Sequence, residues 1–338
     1  MVEPQRIAQS VAPVTLASPL VRREHGLLPS QAADNLFWLG RYAERTHQTA
    51  RAVRTLIDVA NSAGGQPGQG TALERLGNLL HGFGAVPAAR SGIAAQDLAM
   101  TAFADTAQPG SIAALTRAQR QIALLLRDRL SRDGWRVVHR ALPRVRGGDA
   151  EALRSATDTL IERFAAFARL TADTMSRTAA WRFLDLGISL ERGSFMVQAA
   201  LALVPGRASA EDLAALLDLA DGTEAYRSRY LIMPFIAPVL DMVLLDPVQP
   251  RSLAFQAARI VHHLETMPVL RTDGMTEPPL RLARQLRADV ERLDAETLDH
   301  ASVARLGERI GALSDAIGRR FFLQDETPGT GDAAKLLA

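Results

Sequence analysis

Two distant stretches of the sequence share one short pattern, Gly-x-x-x-Glu-Arg. The copies are Gly40 with Glu44-Arg45 and Gly187 with Glu191-Arg192. Both copies lie in apolar segments whose spacing is helical. Residues four positions apart stack on one face of an α-helix, so each glycine lies directly beneath its glutamate. The repeat therefore predicts two helices that form the structural centre of the protein.

The order of the charged pair restricts how these helices can meet. Adjacent residues on a helix point about 100° apart, so a Glu-Arg dipeptide cannot pair with itself. If the copies pack around a pseudo-two-fold axis, Glu44 meets Arg192 and Glu191 meets Arg45. The two glycines carry no side chain that would hold the backbones apart. We therefore expect reciprocal ion pairs at a close helix crossing.

The second copy indicates that the charged pair is buried, because the segment around Glu191 is apolar almost all round. A buried carboxylate must be paired or protonated. Two interpretations follow. In the first, the charges form a buried ion-pair cluster that fixes the register of a helical bundle. In the second, carboxylates and guanidinium groups form a pocket that binds a substrate or a peptide group.

The remaining chain also has helical periodicity, and no segment alternates with the period of a strand. We predict an all-α protein, a large bundle of about ten helices arranged as two related halves. The halves are residues 29–147 and 148–322, which together form one helical domain, 29–322. Residues 1–28 are predicted to be a flexible leader or linker, and residues 323–338 a polar tail. One helix is expected to run from Ser111 to about Ser131.

Composition narrows the functional classes. The formal net charge is only +2, although the pI is near 9.5. The pI is high because Lys335 is the only lysine, so all other Lys/Arg positions are arginines, which keep their charge at high pH. That balance does not favour nucleic acid as a partner. The chain has no cysteine, which excludes disulfides and thiolate chemistry and permits a cytoplasmic location. No segment has the roughly 20 apolar residues of a membrane span, so we expect no membrane association.

Two further sequence motifs bear on cofactor and metal binding. The glycine-rich stretch 64–70 lacks the Lys-Ser/Thr of a phosphate-binding loop, and no dinucleotide fingerprint is present. We therefore expect no nucleotide cofactor. His262 and His263 are adjacent, so they diverge on a helix, and no acidic residue has the spacing of a helical zinc site. A metal site is not predicted.

Several stretches together resemble the bacterial alpha-E domain family, over about residues 28 to 322. They are Leu28–Arg45 (LPSQAADNLFWLGRYAER), Arg127–Ser131 with Trp135, Thr174–Arg177 leading into Trp181–Gly187, Glu191-Arg192, and Tyr226-Arg227 through Leu244–Ser252. The resemblance implies an all-helical domain encoded beside, or fused to, a circularly permuted ATP-grasp protein. Transglutaminase-like peptidases are common neighbours, and the setting is the synthesis or processing of amide-linked, peptide-like products. Gln249 replaces the family's usual asparagine, and the leader resembles the linker of a fused form.

Two functions remain open at this point. The first is a non-nucleotide-binding partner domain of an ATP-grasp amide or peptide ligase, which helps dock or hold a peptide-like substrate or product. The alternative is an enzyme with Glu44 or Glu191 as general acid–base and arginines that orient a carboxylate substrate. The candidate binding residues are Arg41, Arg45, Arg51, Arg192, Arg227 and Arg251. The structural motif comprises Gly40, Gly187, Trp38 and Asp185.

Overall fold

The computed structural model describes residues 28–62, 71–88, 93–145, 149–231, 233–267 and 275–322. The predicted leader, apart from its last residue, lies outside these described residues. The glycine-rich stretch 64–70 and the predicted polar tail 323–338 also lie outside them.

The described residues form thirteen α-helices and one π-helix, and none of them lies in a β-strand. The α-helices are α1 Ser30–Ser62, α2 Ala72–Gly82, α3 Ala95–Ala104, α4 Ile112–Leu125, α5 Arg132–His139, α6 Ala150–Thr174, α7 Ala179–Leu203, α8 Ala210–Leu219, α9 Thr223–Tyr230, α10 Ile236–Leu240, α11 Leu253–Glu265, α12 Pro278–Arg292 and α13 His300–Phe321. The π-helix is Asp241–Leu245 and continues directly from α10. The predicted all-α bundle is confirmed, with thirteen α-helices instead of about ten because several are short.

Side-chain caps explain where many of these helices begin. A Ser, Thr or Asp oxygen accepts a backbone N–H of the first turn, which satisfies a donor with no partner inside the helix. The capping residues are Thr71, Ser111, Ser131, Asp149, Ser209, Ser252 and Asp299. Ser209 forms a reciprocal capping box with Asp212, which satisfies two backbone donors at the start of α8.

One predicted helix is wrong in its extent. The segment expected to be helical from Ser111 to about Ser131 is helical only to Leu125. The chain then turns over residues 126–130, and Ser131 caps the separate helix α5. Leu126 and Leu130 lie beyond this end and are buried, so their apolar character at helical spacing continues the pattern past the end of α4.

The long helices α1 and α7 cross at their two glycines. A Cβ on Gly40 would lie 2.1 Å from the Leu184 carbonyl oxygen, and one on Gly187 would lie 2.1 Å from the Phe37 carbonyl oxygen. No side chain fits at that separation, so only glycine permits this crossing. The predicted close approach of the two Glu-Arg helices is confirmed.

The other helices cover this central pair. Helices α2, α3, α4, α6 and α8 pack against α1, whereas α2, α8, α11 and α13 pack against α7. Helix α12 lies on α11 and α13, and α5 lies on α4 and α6. The described helices contain no segment long and apolar enough to cross a bilayer. The proposed division into two halves stays a prediction.

Candidate functional site

The α1–α7 crossing holds the two glutamates of the repeat in its interior. Glu191 on α7 is fully buried and accepts hydrogen bonds from two arginines of α1. Arg45 Nε donates to its Oε1 at 2.5 Å, and Arg41 Nε donates to its Oε2 at 2.8 Å. Arg41 Nη1 also donates to Ser314 Oγ of α13 at 2.6 Å. One carboxylate therefore joins α1 and α7, and Arg41 extends the connection to α13.

Glu44 on α1 occupies the corresponding place at the other end of the crossing and is buried too. Arg192 of α7 binds it with a fork, Nε to Oε1 and Nη2 to Oε2, both at 2.7 Å. Gln48 Nε2 adds a third bond to Oε1 at 2.5 Å. Glu44 therefore pairs with Arg192 as Glu191 pairs with Arg45, and the predicted reciprocal arrangement is confirmed.

Both carboxylates are held in the ionised form. Burial raises the pKa of Glu44, but the Arg192 guanidinium and the neighbouring His47 together outweigh it and hold that pKa well below its usual range. Burial likewise raises the pKa of Glu191, and the charges of Arg45 and Arg41 overcome it to leave the pKa lowered. A general acid–base near neutral pH needs a pKa close to the operating pH. The geometry therefore favours a structural role for both glutamates over proton transfer.

The Glu44 end differs because two guanidinium groups there keep a donor without an acceptor. Arg51 Nη2 donates to Asp221 Oδ2 at 3.1 Å, and its Nε donates to His47 Nε2 at 3.4 Å. Its Nη1 is buried and bonds to nothing in the described part of the chain. Arg251 Nη1 is also buried and lies 4.0 Å from Glu44 Oε1, beyond hydrogen-bond distance. Buried donors of this kind normally have a partner.

The electrostatics at this end agree with the geometry. Burial, together with the nearby charges of Arg192 and Arg51, lowers the pKa of Arg251 to about 9. Burial also lowers the pKa of His47 to about 4, so this imidazole is neutral at pH 7 and adds no charge. The lowered pKa of Arg251 means that its positive charge is poorly compensated. An added anion would compensate it.

Asp185 and Trp38, predicted as structural residues, act in neighbouring clusters. Asp185 accepts a fork from Arg259 of α11, at 2.7 and 2.5 Å, and contacts His263 Nε2 at 2.5 Å. Burial raises the pKa of Asp185, but His263 and Arg259 leave it lowered. Trp38 is half-buried, and the Arg41 guanidinium carbon lies 5.4 Å from its ring centroid. Both clusters fix helices around the crossing.

The structure thus gathers five of the six candidate arginines at the crossing. Arg41 and Arg45 lie at the Glu191 end, and Arg51, Arg192 and Arg251 lie at the Glu44 end. Arg227 does not join them. It is exposed on α9 and donates to Glu224 at 3.1 Å.

Several partners in the site were not predicted from the sequence. They are His47, Gln48, Asp221, Arg259, His263 and Ser314. The helical spacing could have identified His47 and Gln48, because they follow Glu44 by three and four positions. His263 was considered only as a metal ligand, whereas it contacts Asp185. In the described ranges, no group of three His, Asp or Glu side chains could hold a metal ion.

The fold and the buried centre define a helical domain organised around paired Glu-Arg motifs. Residues 28–322 match the Alpha-E family, described as a predicted alpha-helical domain with a conserved ER motif, and the chain belongs to that family.

Sequence relatives include uncharacterized proteins of Mycobacterium tuberculosis and Mycobacterium bovis. Each is 25% identical over 305 residues, which covers 82% of this chain and 34% of the relative. The chain thus spans about a third of the length of these relatives. No solved structure matches the chain.

Proposed function

We propose that this chain is a helical partner domain of an ATP-grasp amide or peptide ligase, and that it helps hold a peptide-like substrate or product. It binds no nucleotide itself. Arg51 and Arg251 receive a carboxylate group of that molecule at the Glu44 end of the crossing. The observation that carries this proposal is the pair of buried guanidinium donors without acceptors beside Glu44.

The chemistry of these donors suits a carboxylate. A guanidinium group presents planar N–H donors that match the two oxygens of a carboxylate, and the bonds are charge-assisted. Because the donors are shielded from solvent, the attraction is stronger than it would be in bulk water. Amide-linked products and their precursors carry such carboxylates at their ends.

The partnership rests on two supports. The resemblance to the alpha-E family implies a circularly permuted ATP-grasp protein encoded beside this domain or fused to it. In the mycobacterial relatives, the matched region is about a third of a longer chain, so the domain occurs there within a larger protein. A transglutaminase-like peptidase is a further proposed partner. We also propose a cytoplasmic location, because the ligation consumes ATP.

Reconstitution with the ATP-grasp protein tests this function. We expect the two proteins to co-purify, and we expect the product spectrum, followed by mass spectrometry, to change when this chain is left out. The Arg251→Met variant should still co-purify but lose the effect on products. Arg227→Met is the matched control, because Arg227 is exposed and pairs with Glu224 instead of a residue of the crossing. A ligase that neither binds this chain nor changes its products would contradict the proposal.

A further inference from the structure

A second cluster of arginines lies away from the buried centre, where α4 ends and α5 begins. It surrounds a surface pocket of about 320 Å³. The lining residues are Arg127, Leu130, Arg132, Trp135 and Arg136. This volume is at the lower end of the range for small-molecule sites, about 300–1,000 Å³. The pocket exists because the chain turns over residues 126–130 instead of continuing α4.

Aromatic stacking fixes one of these arginines in place. The Arg127 guanidinium carbon lies 4.7 Å from the ring centroid of Trp135. The His139 ring also stacks on this indole, with centroids 3.7 Å apart and planes 18° apart. A guanidinium group over an aromatic face keeps its in-plane N–H donors free for a ligand. Arg127 is therefore oriented before any ligand binds.

The pocket has little negative charge to balance its arginines. In the part of the chain that the structure describes, no carboxylate lies within ion-pair distance of Arg127. The same is true of Arg132. Arg136 meets only Asp133, at 3.4 Å and in an exposed geometry. The nearby Asp128 pairs instead with Arg129, outside the pocket lining, at 2.9 Å. Three guanidinium groups therefore face one pocket with about two uncompensated positive charges.

We propose that this pocket binds a small dianionic oxyanion ligand, with Arg127, Arg132 and Arg136 as its donors. The ligand carries either a phosphate group or two carboxylates, since both offer several acceptor oxygens to planar guanidinium forks. The site is separate from the Arg51 and Arg251 donors beside Glu44 and does not depend on the function proposed above. Its ligand can enter from solvent, because all three arginines are exposed.

A binding titration on the whole chain tests the pocket. The probes are inorganic phosphate and glutarate, each added at constant ionic strength and followed by calorimetry and tryptophan fluorescence. We expect saturable binding and a fluorescence change that disappears in Trp135→Phe, while Trp38 and Trp181 remain. The probe that binds more tightly identifies the phosphate or the dicarboxylate class.

Three variants separate specific binding from general charge attraction. Arg127→Ala should weaken binding about tenfold or more, as expected for the loss of charge-assisted bonds. Arg127→Lys should also weaken it, because an ammonium group keeps the charge but loses the planar fork. Arg169→Ala is the matched control, since Arg169 is exposed on α6 and pairs with Asp173. It should bind as the unchanged chain does.

The Trp135 signal distinguishes the pocket from the buried centre, because Trp135 lines the pocket. The Arg127 side chain is exposed, so circular dichroism should give an unchanged melting temperature for the Arg127 variants. The proposal is overturned if neither probe saturates with a Kd below about 1 mM. It is equally overturned if Arg169→Ala weakens binding as much as Arg127→Ala does.

Discussion

The two ends of the α1–α7 crossing carry the same motif but treat their arginines differently. At the Glu191 end, Arg41 and Arg45 both contact the carboxylate directly. At the Glu44 end, only Arg192 does so, while Arg51 and Arg251 each keep a buried donor without an acceptor. At both ends, the arginines outnumber the glutamate. The ends differ in whether every arginine contacts the carboxylate directly.

This contrast separates a structural charge cluster from a binding site. In the described residues, Arg41 and Arg45 have no buried donor without a partner, so the Glu191 end fixes the packing of its helices and offers no buried donor to a ligand. A pair that leaves donors unsatisfied costs stability until an acceptor arrives. The duplicated motif thus builds two different ends. We call the Glu191 end closed, because both of its arginines contact the carboxylate, and the Glu44 end open, because Arg51 and Arg251 each keep a donor without an acceptor. Four changes to the protein test this contrast.

Removing a directly paired arginine should have the largest effect. Arg192→Met leaves Glu44 as a buried charge without its fork, so we expect a loss of about 3–5 kcal/mol in the free energy of unfolding. Urea unfolding followed by circular dichroism measures it. A loss below about 1 kcal/mol would contradict the pairing of Glu44 with Arg192.

The second largest effect should come from lowering the pH, which reduces the free energy of unfolding through His47 at the open end. The pKa of His47 is about 4 in the folded protein, below its ordinary value of 6.5. The unfolded chain therefore takes up this proton first, and stability falls as the pH drops from about 6.5 to 4, by about 3 kcal/mol at most. Glu44, Arg51 and Arg251 face this imidazole. His47→Gln should flatten the pH profile of the unfolding free energy in this window. An unaltered profile would show that His47 does not cause the loss of stability.

A side chain added at the α1–α7 crossing should lower the free energy of unfolding by a smaller but measurable amount. In Gly187→Ala, the new Cβ would meet the Phe37 carbonyl oxygen at 2.1 Å, so the two helices must move apart. We expect a loss of about 1–3 kcal/mol, measured by thermal and urea unfolding. Gly311→Ala on α13 is the control, because its Cβ would meet nothing within 4 Å. Equal losses in the two variants would show that the crossing tolerates a side chain.

The smallest effect on stability is expected for the open-end arginine. Arg251→Met removes a poorly compensated buried charge, so the free energy of unfolding should stay within about 1 kcal/mol or rise. The same variant should abolish the stabilisation that a short peptide with a free carboxylate gives to the unchanged chain in thermal melts. Loss of several kcal/mol would place Arg251 among the structural pairs.

Much of this centre follows from sequence because helical spacing is a local property. The stacking of Gly40 under Glu44 and the divergence of adjacent Glu and Arg predict the reciprocal pairs once the two helices are taken to pack around a pseudo-two-fold axis. Asp221 and Ser314 carry no such signal, since only tertiary packing brings them to α1. The end of α4 was misplaced for a related reason. Leu126 and Leu130 continue the apolar pattern of α4 at helical spacing, although the chain turns after Leu125.

A double-mutant cycle tests the contrast between the two ends most directly. It combines Glu44→Gln with Arg192→Met in one cycle and with Arg251→Met in another, with coupling energies taken from urea unfolding. We expect a coupling of about 2 kcal/mol or more for Glu44 with Arg192, within the range for buried pairs in contact. For Glu44 with Arg251 we expect less than about 0.5 kcal/mol. Equal couplings in the two cycles, or a larger one for Arg251, would contradict the account.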